Sequence, residues 1–135
     1  METIKAIIDT DILIDLLRNQ NQAVAFIADL EKEKAILATT TINIFELYHG
    51  AHKSQESERN LKAINELASR LSVLPLTNKA AKKAACIYAQ LEHEGKSIGL
   101  KDTFIAAITL TLNASIATRN KAHFNKISDL KIISP

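Results

Sequence analysis

The sequence predicts a three-layer α/β/α fold around a central, mostly parallel sheet of five strands. Short apolar runs without hydrophobic alternation, the pattern of strands buried on both faces, recur between longer helical patterns. The first three connections are long enough to hold crossover helices, which parallel pairing requires. The chain has 3 Gly and 2 Pro in 135 residues, too few for the many tight turns of a small β-sandwich. This length is one domain's worth, so a single domain over 1–135 is expected.

The elements follow in order. Ile4-Lys5-Ala6-Ile7-Ile8 is the first strand, and helices are expected over Ile12–Arg18 and Ala23–Glu33. Ala35–Ala38 is the second strand. Thr41 is positioned to cap a helix running to about Lys53. Leu61, Ile64, Leu67, Ala68 and Leu71 fall on one face of a further helix at the 3.6-residue period. Val73-Leu74 is a third strand, cut short by Pro75. Thr77 caps a long helix ending at Gly95, with Ala81, Ala84, Ala85, Tyr88 and Leu91 expected on its inner face. Gly99 precedes a helix over Leu100–Asn113. Ser115–Thr118 is a fourth strand, a helical turn covers Ala122–Lys126, and Lys131–Ile133 is the last strand.

Composition excludes several classes. A hydrophobic fraction of 47% and a charged fraction of 24% are those of a globular protein, not a disordered or fibrous one. The single cysteine, Cys86, rules out an internal disulfide and a zinc site built on several thiolates. Its neighbours Ala84, Ala85, Ile87 and Tyr88 read it as a small buried residue, and one thiol fits a reducing cytoplasm. Asp9, Asp11 and Asp15 interrupt the N-terminal apolar residues, unlike a signal peptide. The longest uncharged run, Thr103–Thr118, has 16 residues, short of the roughly 20 that span a bilayer. A cytoplasmic protein without a membrane segment is expected. Net charge is +2, but residues 1–65 hold 7 basic and 10 acidic side chains and residues 66–135 hold 10 and 5.

In parallel sheets, ligands bind beyond the carboxyl ends of the strands, where strand order reverses. Asp9 directly follows the first strand. Asp102 begins an otherwise apolar helix, and Glu46 lies among Ile42, Phe45 and Leu47. Thr118 and Asn120 follow the fourth strand. Each has an ordinary explanation: a helix cap for Asp9, a dipole-stabilising first-turn acid for Asp102, a surface Glu, a turn Asn. Their combination asks for more. Three carboxylates gathered at one end of a sheet repel by about 4 kcal/mol per pair at about 4 Å and an effective dielectric near 20. A divalent cation removes that cost, and oxygen-only ligands suit Mg2+ or Mn2+.

On the segments Ile8–Leu17, Thr41–Gly50, Gly99–Ala107 and Ala117–Asn120 with His123-Phe124, the chain resembles the PIN domains, and among them the VapC-type toxin ribonucleases. The resemblance covers essentially the whole length. It implies a PIN-like five-stranded sheet and a metal-dependent endoribonuclease in which a metal-activated water hydrolyses RNA, leaving 5′-phosphate and 3′-hydroxyl ends. It implies Asp9, Glu46 and Asp102 as metal ligands, and Thr118 as a hydroxyl that orients a carboxylate or water. Asn120 stands where many members carry a fourth acid, which leaves open whether one or two ions bind. A homodimer and a small antitoxin that blocks the site are also implied. A groove for the antitoxin is expected along Ile14, Leu17, Phe45 and Tyr48.

Other readings compete. A non-catalytic module of the same fold would hold metal or partner without cleaving, although intact Asp9, Glu46 and Asp102 argue against it. Asp9-Thr10-Asp11 also resembles the start of haloacid-dehalogenase-type phosphatases, with an Asp nucleophile, but Leu13 departs from that motif. Asp11 reads better as a helix-start acid near the metal than as a ligand. His49, His52 and His123 read as surface or structural residues. Arg18, Lys53, Arg59, Arg119, Lys121 and Lys126 are candidate phosphate contacts. With 4 Phe, 2 Tyr and no Trp, recognition by shape and backbone is expected over base stacking.

Overall fold

The computed structural model describes residues 4–135. Positions 1–3, the start of the domain expected over 1–135, lie outside the described residues. The order is β1 (Ile4–Ile8), α1 (Thr10–Leu17), α2 (Asn21–Lys32), β2 (Ile36–Thr40), α3 (Thr41–Lys53), α4 (Ser57–Ala68), β3 (Ser72–Leu74), α5 (Asn78–His93), α6 (Leu100–Thr111), β4 (Ser115–Ala117), α7 (Lys121–Phe124) and β5 (Lys131–Ile133).

The five strands run in the order β3-β2-β1-β4-β5, and every described pairing is parallel rather than mostly so. β1 is central. The chain winds outward from it to β3, then returns to its other side for β4 and β5. Strand order therefore reverses between β1 and β4, whose ends are joined by the Asp9 N–H donating to the Ala117 carbonyl at 2.9 Å. That reversal opens a crevice at the carboxyl ends.

Alternation along β1 feeds two cores. Ile7 faces a cluster with Ala84, Ile87 and Leu91 of α5, Ile105 and Ala106 of α6, and Phe124. Ala6 and Ile8 face Ile12 and Leu13 of α1, Leu47 and Ala51 of α3, and Ile64 of α4. Helices thus cover both faces, which is why the strands read as continuous apolar runs.

Several boundaries differ from expectation. α1 begins at Thr10, not Ile12, because Asp9 caps it. α2 begins at Asn21, two residues early, with no side-chain cap. β2 runs past Ala38 to Thr40, since Thr39 and Thr40 pair with Val73 and Leu74. The cap of α3 is Thr40, not Thr41: its hydroxyl accepts from the N–H groups of Ile42 and Asn43, and Asn43 returns the bond to the Thr40 backbone. The buried seam of α5 is Ala80, Ala84, Ile87 and Leu91, so Ala81 and Ala85 face outward and Tyr88 is only half-buried. Cys86 lies on that outward side and is exposed, not buried. α5 does stop at Gly95, whose φ of +69° is the left-handed conformation that closes a helix. No helix of the described residues is long and apolar enough to cross a membrane.

Candidate active site

Asp9 occupies the crevice at the end of β1 and is 6% exposed. Its Oδ1 accepts from the Thr10 N–H (2.9 Å) and from Asn43 Nδ2 (3.1 Å), and its Oδ2 accepts from Thr118 Oγ1 (2.7 Å). No Lys, Arg or His among the described residues forms an ion pair with it. Its pKa is raised from 3.8 to about 6, by burial above all and by the charges of Asp11 and Asp102, against the opposing bonds from Thr118 and Thr10. A buried carboxylate with like charges nearby and no counter-charge is an uncompensated electrostatic cost.

Asn43, fully buried, ties Asp9 to α3. Its Oδ1 accepts from the Thr40 hydroxyl (2.7 Å) and N–H (3.2 Å), while Nδ2 donates to Asp9 and to Thr10 Oγ1 (2.9 Å). The Thr10 hydroxyl in turn donates to Glu46 Oε1 at 2.7 Å, and Lys101 Nζ lies 3.6 Å from the other Glu46 oxygen. One network therefore orients Asp9 and Glu46 together.

A second group holds Asp102 on the first turn of α6. Gly99 precedes it with φ +94° and ψ 155°, a backbone conformation that favours glycine. Asp102 Oδ2 accepts from His123 Nδ1 at 2.7 Å and from Asn120 Nδ2 at 3.4 Å. Thr118 links the two groups, donating to Asp9 while accepting from the Asn120 N–H at 2.9 Å.

All five residues singled out in the sequence, Asp9, Glu46, Asp102, Thr118 and Asn120, thus lie in one hydrogen-bonded constellation. The three carboxylates are not closed into a cage. Among the described residues no group of three or more His, Cys, Asp or Glu is gathered tightly enough to hold a metal ion. The carboxylates instead engage protein donors: Thr10, Asn43 and Thr118 for Asp9, Thr10 and Lys101 for Glu46, and His123 and Asn120 for Asp102.

Thr10, Asn43 and Lys101 were not anticipated as site residues. Asn43 had a signal, the Thr-x-x-Asn spacing of a capping box, masked by placing the cap one residue late. His123, expected to be structural, touches Asp102. Asp11 is near the site as expected: its carboxylate accepts from the N–H groups of Ile12 (2.7 Å) and Arg119 (2.9 Å). Arg119 is not turned toward the carboxylates, because its guanidinium pairs with Asp15 (2.8 Å) and Gln22 (3.2 Å). The expected groove is partly formed: Ile14 and Leu17 line a cavity with Leu47 and Ile64, Tyr48 packs on the core and bonds Asn65, and Phe45 is exposed.

The PIN domain model matches residues 6–130. The tRNA(fMet)-specific endonuclease VapC of Shigella flexneri is 32% identical over 128 residues, covering 95% of this chain and 96% of that protein. Among solved structures, VapBC-1 from nontypeable Haemophilus influenzae superposes with a TM-score of 0.86 at 30% identity, covering 97% of this chain and 98% of that one. VapBC2 from Rickettsia felis, bound to a DNA fragment from their promoter, gives a TM-score of 0.91 at 24% identity, over 98% and 99% of the two chains.

Proposed function

The chain belongs to the PIN-domain family, and we propose that it is a divalent-metal-dependent endoribonuclease, the toxin of a toxin–antitoxin pair. The observation that carries the reading is Asp9: buried, hydrogen-bonded at both oxygens, without a cationic partner among the described residues, and placed where the strand order reverses. Its relatives named ribonuclease or endonuclease supply the reaction class. We take residues 1–135 as a single domain.

The donor set is chemically suited to Mg2+ or Mn2+, since carboxylate, hydroxyl and amide oxygens are hard ligands. Because the three acids are not closed into a cage, Asp9, Asp102 and Glu46 would hold the ion in part through water, with Thr118 and Asn120 in support. A divalent cation there supplies Lewis acidity, acidifying water and stabilising the charge that builds on a phosphodiester. The protein's part is orientation. Thr118 and Asn43 fix both oxygens of Asp9, Thr10 fixes one oxygen of Glu46, and His123 with Asn120 fixes Asp102. Each carboxylate keeps lone pairs free for a further partner. A small antitoxin protein and a second copy of the chain are the proposed partners, and the cytoplasm the proposed location.

The test is expression of wild type and Asp9→Asn from a tightly controlled promoter, with growth recorded and new RNA 5′ ends mapped. Growth arrest with discrete 5′-phosphate ends, absent in the variant at equal protein level, is expected. Well-expressed wild type that yields neither would overturn the reading in favour of a non-catalytic module. Products with 2′,3′-cyclic phosphate would rule out hydrolysis by water, because such ends come from attack by the ribose 2′-hydroxyl.

A further inference from the structure

Beside the carboxylates, α3 presents two neighbouring rows to the outside. Phe45, His49 and Lys53 recur at every fourth residue along one, and Glu46 and Gly50 lie along the other. Phe45 is 57% exposed, although α3 has an apolar inner face available in Leu47 and Ala51. Its ring stacks on His49, with centroids 5.7 Å apart and planes 19° from parallel. Next to this stack is a cleft of about 420 Å3 lined by Thr10, Glu46, His49, Gly50, Lys53 and Lys101, among others.

Three features of the cleft point to a ligand with phosphate and aromatic parts. Its only acid is Glu46, faced by Lys53, Lys101 and His49, so it is locally basic even though residues 1–65 as a whole are net acidic. Lys101 Nζ lies 3.6 Å from Glu46 and its side chain is 56% exposed, leaving ammonium N–H groups for an anion. Gly50 leaves the floor open: a Cβ there would meet nothing within 4 Å and would project into free space. Phe45 and Lys53 are eight residues apart, about 12 Å along the helix, so the aromatic face and the basic end can meet different parts of one single strand.

We propose that this ridge of α3 is a nucleotide subsite adjoining the scissile position: Lys53, His49 and Lys101 hold a backbone phosphate of single-stranded RNA, and the exposed face of Phe45, supported from behind by His49, stacks on a base. This rests on the ribonuclease reading and gives it a recognition element. It adds base stacking to the recognition by shape and backbone that the sequence led us to expect.

The test uses the 135-residue chain with Asp9→Asn, expected to bind without cleaving, and two fluorescein-labelled probes, octauridylate and an octamer of abasic ribose phosphates. Binding is read by anisotropy across a salt series. Lys53→Ala is expected to weaken both probes and reduce the salt slope by about 0.7, the value of one phosphate contact on a single strand. Phe45→Ala is expected to weaken octauridylate by about five-fold or more and leave the abasic probe unchanged, with Phe45→Trp restoring affinity. Lys82→Ala, on the exposed side of α5, is the control and should change neither.

Equal loss for both probes in Phe45→Ala, or no loss in either variant, overturns the subsite. So does a fall in molecular mass by sedimentation with RNA affinity intact, which would show that a second copy of the chain covers Phe45. If the parent protein binds no RNA and wild type cleaves none, the ribonuclease reading falls as well. Cleavage by wild type with unaltered binding in the variants removes the subsite alone.

Discussion

Replacing Asp9 with Asn should make the metal-free protein more stable while destroying its activity. The carboxyl titrates at about 6 when folded and near 3.8 when unfolded, a difference worth about 3 kcal/mol. The pKa is raised, so the ionised acid destabilises the fold. The penalty is complete above about pH 6, shrinks as pH falls, and is gone below about 3.8. An amide resembles the protonated acid. Its Oδ1 keeps the bonds from Thr10 and Asn43, and its Nδ2 faces Thr118. The Thr118 hydroxyl must then accept from the new amide and turn its proton toward Asp11 Oδ2, 3.4 Å away. That poorer bond costs about 1 kcal/mol, leaving a net gain of about 2 kcal/mol at pH 8. At this chain length the gain raises Tm by roughly 6–8 °C. At pH 4.5 the penalty in wild type has fallen to about 1 kcal/mol and the gap should nearly close. Thermal melts in chelator at both pH values test this. A variant less stable than wild type at pH 8, or a gap that does not change with pH, would refute the buried, uncompensated carboxylate. Millimolar Mg2+ or Mn2+ should reverse the order by stabilising wild type alone.

Three further substitutions probe the network and the cleft beside it. Asn43→Ala removes four hydrogen bonds from a fully buried site and should cost about 2–4 kcal/mol in urea unfolding; a loss under 1 kcal/mol would mean that water replaces the amide. Thr118→Val deletes a bond that holds the Asp9 pKa down, so the Asp9 carboxyl should titrate above about 6 by carbon NMR, and a downward move would contradict the assigned partner. Gly50→Ala adds a methyl in open space within a helix and should raise stability by roughly 0.5–1 kcal/mol, again by urea unfolding, with a loss showing that the cleft floor is closed.

The fold was largely legible because parallel strands and their helices obey strong local patterns. Ile4–Ile8 and Lys131–Ile133 lie where the apolar runs put them, and Thr77 caps α5 as its hydroxyl suggests. The misreadings share a cause. Polar residues at strand ends, such as Thr39 and Thr40, look like loop because their hydroxyls are satisfied only in three dimensions, Thr39 by the Ile8 carbonyl and Thr40 by Asn43. In α5, alanine's small size and weak apolar signal let the seam shift by one position, which also misplaced Cys86. In the site, acids stood out against apolar neighbours, whereas Asn43, Thr10 and His123 are ordinary residues in sequence. Their roles arise from partners between 21 and 36 positions away.

The bond from Thr118 to Asp9 joins residues 109 positions apart. A ribosome makes the acid first and its hydroxyl partner 109 residues later. Until then β1 lacks its neighbour on one side, and the constellation lacks Thr118, Asn120 and His123. Nascent chains and products of premature termination that end between Asp102 and Thr118 therefore carry all three carboxylates of the constellation, but lack Thr118 for Asp9 and both Asn120 and His123 for Asp102. For a protein whose proposed substrate is the cell's own RNA, this ordering delays a complete site until Thr118, Asn120 and His123 have been made.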